Sequence, residues 1–167
     1  MDGIIQNIVT FLQDKIPEEL VVFIISVLPV LELRGGLIAA SLMDIEWWSA
    51  FIYCFLGNML PMPFILLFIR KIFQLMKKWG PLGKVVDKLE EKAHKHSDKV
   101  EKYGFWGLFI LVAIPLPGTG GWTGALVAAL MDLRMKKALP AIALGVLVAG
   151  IIVGTLSYGI VGLFNKI

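Results

Sequence analysis

Residues 29–36 read PVLELRGG, and residues 115–124 read PLPGTGGWTG. Each motif lies inside a long apolar run, the first over 20–43 and the second over 103–131. An ordinary crossing helix has no use for prolines, paired glycines and charges at its centre. Proline removes a backbone hydrogen bond that lipid cannot replace, glycine loosens the helix, and a charge is costly in hydrocarbon. Both runs are therefore expected to break near the middle, and each then either crosses the membrane or turns back on the side it entered.

Outside these runs lie two further apolar segments. Residues 47–69 carry Asn58, Pro61 and Pro63 and would make about 35 Å of helix, enough to cross a bilayer core. Residues 138–164 contain no charge at all. Across 167 residues, 57% are apolar and mean hydropathy is +0.80, more than a soluble core of this length has reason to bury. Residues 3–16, GIIQNIVTFLQDKI, gather Ile4, Ile5, Ile8, Val9, Phe11, Leu12 and Ile16 on one face, which predicts an interfacial amphipathic helix ended by Pro17, Glu18 and Glu19. No cleaved signal peptide is expected at this acidic start. Residues 70–102 hold ten Lys or Arg and five Asp or Glu, and past the Gly80-Pro81 break they read as a charged linker helix. The net charge of +3 and pI near 9.0 come largely from this linker beside the apolar segments, so nucleic acid is not expected as a partner. The lone Cys54 permits no intrachain disulfide.

The chain repeats itself. Pairing residue n with n+88 gives identity at Leu20/Leu108, Leu28/Leu116, Pro29/Pro117, Gly36/Gly124, Ala40/Ala128, Leu42/Leu130, Met43/Met131, Asp44/Asp132, Ala50/Ala138, Leu56/Leu144 and Gly57/Gly145. The clustering around one motif points to duplication.

Loop charge chooses between crossing and turning back. With the cation-rich linker in the cytoplasm, a crossing second run would leave Arg134, Lys136 and Lys137 outside, against the positive-inside rule. A second run that turns back keeps them inside. The same choice for the first run gathers Glu18, Glu19, Asp44 and Glu46 on the outer side, with Lys15 the only cation in the N-terminal flank. The expected fold is thus all-α integral membrane, with two inverted repeats that each comprise a re-entrant helical hairpin plus a transmembrane helix. The 167 residues form a single membrane domain: amphipathic helix 1–19, repeat one 20–69, cytoplasmic linker 70–102 and repeat two 103–167. Inverted repeats with interrupted helices belong to transporter architecture. So few segments enclose little solvent, which makes a homo-oligomer a reasonable expectation.

Glu32 and Arg34 place an acid and a base at membrane depth, at about 2.5 to 3.5 kcal/mol each on insertion scales. With Pro29, Gly35 and Gly36 they are candidates for a substrate or proton pathway; the alternative is an ion pair that only neutralises itself. In the second motif Pro115, Pro117, Gly118, Thr119, Gly120, Gly121, Trp122 and Thr123 offer hydroxyls and amides that could cradle an anion, against the alternative of a plain chain reversal. Asn58, beside Pro61 and Pro63, could line a pathway or sit in a packed kink. Asp44 and Asp132 each precede a crossing helix and are expected as N-caps. Gly150 and Gly154 have small-xxx-small spacing, for packing within the fold or for dimerisation. His94 and His96 stand two apart with no cysteine near, so no metal site or cofactor is expected.

With PVLELRGG and PLPGTGGWTGA in place, the chain resembles the small multidrug export family of prokaryotic membrane proteins over nearly its whole length. That family is similar to the DedA group, whose fold is taken to pair two inverted re-entrant hairpins and whose members are linked to lipid-phosphate flipping and proton-motive force. The resemblance implies a flippase or exporter of the prokaryotic cytoplasmic membrane. A hairpin acid in DedA relatives matches Glu32 in character. Their second hairpin carries arginines where this chain has only Gly, Thr and Trp122, leaving Arg34 as the deep cation.

The expectation is a small secondary transporter or lipid flippase, proton-coupled through Glu32, with Arg34 as anion contact and a midplane site between the hairpin tips. Its partners are the bilayer and a small-molecule or lipid substrate. The competing class is a non-transporting membrane scaffold or partner subunit. An enzyme is not expected, because the sequence has no metal-ligand cluster, no paired carboxylates in the motifs and no phosphate-loop pattern.

Overall fold

The computed structural model describes residues 16–78, 83–84, 86–88, 91, 100, 102–116 and 118–164. All regular structure among them is helical: α1 Glu18–Val27, α2 Glu32–Leu42, α3 Trp47–Met59, α4 Met62–Lys77, α5 Phe105–Ala113, α6 Gly121–Leu130 and α7 Met135–Phe164. The expected amphipathic segment 3–16 lies almost wholly outside the described residues, as do Pro117, His94 and His96. In the linker, the described residues 83–84, 86–88, 91, 100 and 102–103 are all helical, and Val86 and Val100 are buried.

Both motif-bearing runs break where their sequence interrupts helix. The first becomes α1 and α2, of 10 and 11 residues, and the second α5 and α6, of 9 and 10. At 1.5 Å per residue each is only about 14 to 17 Å long, half the thickness of a hydrocarbon core. Within each run the two short helices pack on each other. Pro17 does not merely stop what precedes it: it stands at the N-cap position of α1, with Glu18 and Glu19 in the first turn, where acids favour the helix dipole.

Among the described residues, two helical stretches are long and apolar enough to cross a membrane: Trp47–Ile69, 23 residues at mean hydropathy 1.9, and Met135–Ile160, 26 residues at 2.4. The first is hinged at Leu60 and Pro61, and Pro63 falls in the first turn of α4, where its missing N–H leaves no gap in the ladder. Helix α4 runs on to Lys77 rather than ending before Arg70. Its charges come at spacings that leave Phe73 buried, so the helix stops only ahead of Gly80-Pro81.

The chain divides into two compact units, Met1–Pro61 with Val146–Ile167, and Met62–Gly145. In the first, α1 is seated against α2 and α3 through two glycines. A Cβ on Gly36 would strike the Ser26 hydroxyl and come within 2.8 Å of the Cys54 sulfur, and one on Gly57 would strike the Phe23 carbonyl. Later in the same unit, Gly150 and Gly154 of α7 lie close to Phe51 and Leu33, and to Trp47 and Leu37. Their small-residue spacing thus serves packing within the chain. In the second unit α5 is seated the same way. A Cβ on Gly124 would strike Val112, and one on Gly145 would come within 2.7 Å of Val112 Cβ and 3.0 Å of the Phe109 carbonyl.

These contacts correct the gapless pairing. Gly36/Gly124, Gly57/Gly145 and Cys54/Ile142 keep the offset of 88, but their partners Val22/Leu108, Phe23/Phe109 and Ser26/Val112 are 86 apart. In this register Pro29 corresponds to Pro115, not Pro117, and the second tip holds two extra residues, which its glycines accommodate.

The aspartates are also reassigned. Asp44 and Asp132 have φ of 54° and 58°, and α3 begins at Trp47 with no side-chain cap. The Ile45 N–H donates to the Ala40 carbonyl and the Leu133 N–H to the Ala128 carbonyl. This is the six-to-one closure of a left-handed helix end, so the backbone at the aspartates terminates α2 and α6. Asp is tolerated in this conformation because its short polar side chain suits left-handed backbone better than most.

Candidate membrane-embedded polar site

The first tip is built from the break between α1 and α2. Leu28 is extended, Pro29 is exposed, and Val30 is 74% exposed. The chain then turns inward, and Glu32 is only 7% exposed. Its N–H donates to the Leu28 carbonyl at 2.9 Å, which fixes the turn. The Glu32 carboxylate lies within electrostatic reach of the half-buried Arg34 guanidinium, so the acid and base of PVLELRGG are brought together. Gly35 and Gly36, next in α2, are buried against Leu31 and against Ser26 and Cys54.

Glu32 has φ of 52°. A glutamate in left-handed backbone costs on the order of 1 to 3 kcal/mol and persists only where its surroundings impose it. The corresponding Gly120, 88 residues on, also has positive φ, at 142°. Gly120, with ψ of −170°, is in an extended positive-φ conformation that glycine adopts freely, so the two tips differ in backbone and the left-handed carboxylate belongs to the first.

Asn58 stands at the end of α3 in the same unit, 1% exposed, and its Oδ1 accepts no hydrogen bond. The same unit holds further polar contacts that the sequence did not reveal. Ser26 Oγ donates to the Val22 carbonyl at 2.8 Å, and the Cys54 sulfur lies 3.9 Å from the same oxygen. Tyr158 of α7 donates its hydroxyl to the Ile45 carbonyl at 2.7 Å, tying α7 to the chain just past Asp44. An isolated serine or tyrosine in an apolar run carries no positional signal, so only packing discloses these roles.

The second tip, with Pro115 exposed at its start, turns its hydroxyl donors inward. Thr119 Oγ1 lies 2.9 Å from both the Ile114 and Leu116 carbonyls, and Thr123 Oγ1 donates to the Gly118 carbonyl at 3.0 Å. Gly118 has φ of 86°, and Gly120 precedes α6, whose first residues are Gly121 and Trp122. The tip is a loop braced by its own threonines, so their hydroxyl hydrogens are committed to backbone carbonyls. Among the described residues, no group of three or more His, Cys, Asp or Glu could hold a metal ion.

The family model described as Putative small multi-drug export protein matches residues 32–152, a span that begins at Glu32 and includes both α2 and α6. Neither the curated proteins nor the solved structures yield a match. The export family and the two apolar helices together point to a membrane protein.

Proposed function

The chain belongs to the small multi-drug export family, and from that membership we propose that it is a small proton-coupled secondary transporter or lipid flippase of the prokaryotic cytoplasmic membrane. In this reading each pair of short helices is a re-entrant hairpin and the two halves are inverted repeats, as the charge of the flanking loops requires. The half-length of α1, α2, α5 and α6 supports hairpins over crossings. The glycine seats and left-handed aspartates, each found twice, support duplication.

The observation that carries the proposal is Glu32: a buried carboxylate in strained backbone, at a break between half-helices, beside Arg34. A structural ion pair has no need of left-handed backbone at its acid. A carrier needs a carboxyl that gains a proton on one side and loses it on the other, with a nearby cation whose charge can serve carboxylate or substrate in turn. Arg34 is the anion contact in this cycle. The side-chain amide of Asn58 supplies a buried acceptor for a donor-bearing group. In the second tip the hydroxyl hydrogens are already used, so it offers backbone groups rather than hydroxyl donors.

The test is transport by vesicles containing only this chain, with a lipophilic cation for export and a fluorescent phospholipid for flipping. Movement of either that depends on the protein supports the proposal. A scaffold moves neither.

A further inference from the structure

Helix α4 leaves the apolar segment carrying two features that the transport reading does not use. Phe64, Phe68, Ile72 and Leu75 recur every three or four residues and are 45–61% exposed, forming an apolar stripe down one side. At its lower end Lys71, Gln74, Leu75, Lys77 and Lys78 line a cleft of about 470 Å³. Lys71, Gln74 and Lys78 share the i, i+3, i+7 spacing of one helix face. Lys77 reaches Asp87 at 3.6 Å, an exposed pair that tethers the linker beside the cleft. From 70 to 78 the sequence contains four cations and no acid.

We propose that this cleft holds the headgroup phosphate of an anionic phospholipid whose acyl chains lie along the Phe64, Phe68 and Ile72 stripe. The geometry matches the molecule. A lipid presents a negative phosphate at the interface and hydrocarbon immediately beside it, and α4 presents lysines and exposed apolar side chains in that order. A free anion would use the lysines but gain nothing from the stripe. Gln74 adds a neutral donor able to reach a phosphate or glycerol oxygen. Lysines near a helix C-terminus also favour its dipole, but that role is indifferent to lipid type. The inference needs α4 in a membrane and is independent of whether the chain transports anything.

The test uses the purified full chain in neutral detergent, with phosphatidylglycerol, phosphatidylcholine or inorganic phosphate added. Retained lipid is counted by native mass spectrometry and the melting temperature is followed. Phosphatidylglycerol is expected to be retained and to raise the melting temperature, and the other two are not. Lys71→Gln with Lys78→Gln should bind phosphatidylglycerol about thirtyfold more weakly, given the usual contribution of each lysine near an anionic surface. Lys136→Gln with Lys137→Gln should bind it as the wild type does. Equal retention of the two lipids, undiminished binding by the Lys71/Lys78 variant, or an equal shift with phosphate alone would overturn the proposal. If that double variant is not recovered folded, Lys78→Gln alone is measured, with about a fivefold loss expected and no loss contradicting the site.

Discussion

The Gly57 Cα sits against the Phe23 carbonyl so closely that a single added carbon would strike it. The obstacle is backbone, which cannot rotate away as a side chain can. Gly57→Ala should therefore destabilise the protein by about 1 to 3 kcal/mol, as overpacking does in a close-packed core. Gly159 of the same chain faces open space in α7, and there alanine should be neutral or stabilise by up to about 1 kcal/mol through helix propensity. Thermal unfolding in detergent compares the two variants directly; equal melting temperatures would contradict the seat assigned to α1.

Asp44 and Asp132 offer a sharper distinction, because the two roles considered for them order substitutions differently. A left-handed helix end prefers Gly to Asp and Asp to Ser. An N-cap holds Asp and Ser nearly equal and places Gly slightly below them. Melting temperatures should fall in the order Gly, Asp, Ser at both positions. Ser matching Asp, with Gly the least stable, would restore the capping role.

Much of this architecture is legible before any coordinates. Pro29 with Gly35 and Gly36, and the Pro115 to Gly121 run, interrupt apolar stretches in ways that only a break can satisfy, and both breaks are present. The offset of 88 is visible because α2, α3 and their counterparts conserve spacing through Gly36/Gly124 and Gly57/Gly145. The two-residue shift at the tip is not visible, since apolar helices such as α1 and α5 match one another at several registers by composition alone. Nor does sequence order separate a helix end from the start of the next helix when a four-residue link, Met43-Asp44-Ile45-Glu46 or Met131-Asp132-Leu133-Arg134, divides them. Ser26 and Tyr158 escape notice because their partners are backbone carbonyls, which every residue carries.

Asn58 tests whether a buried polar side chain serves stability or passage. Leaving Oδ1 without a donor costs about 1 to 3 kcal/mol, so Asn58→Leu should equal or exceed the wild type in stability. Transport should fall all the same. A variant that unfolds more readily and transports normally when folded would show that Asn58 is a packing residue.

Topology follows from the hairpin reading. In a Cys54→Ala background, cysteines at Glu19 and Glu46 should react with an impermeant reagent from outside, and those at Lys78 and Lys136 only after the membrane is opened. Opposite accessibility at Glu19 and Glu46 would mean that the first run crosses, and at Lys78 and Lys136 that the second does. Either result removes the inverted repeat.

The most direct measurement is flux driven by a pH gradient into vesicles holding equal amounts of folded wild type, Glu32→Gln and Arg34→Ala. The glutamine keeps the size and hydrogen-bonding reach of the carboxyl but cannot cycle a proton. Glu32→Gln should lose gradient-driven flux by about tenfold or more, in keeping with the usual weight of a positioned proton-transfer group, while retaining exchange without a gradient. Arg34→Ala should weaken transport of anionic substrates and leave neutral ones unaffected. Undiminished gradient-driven flux in Glu32→Gln would contradict the proton-carrier role on which the account rests.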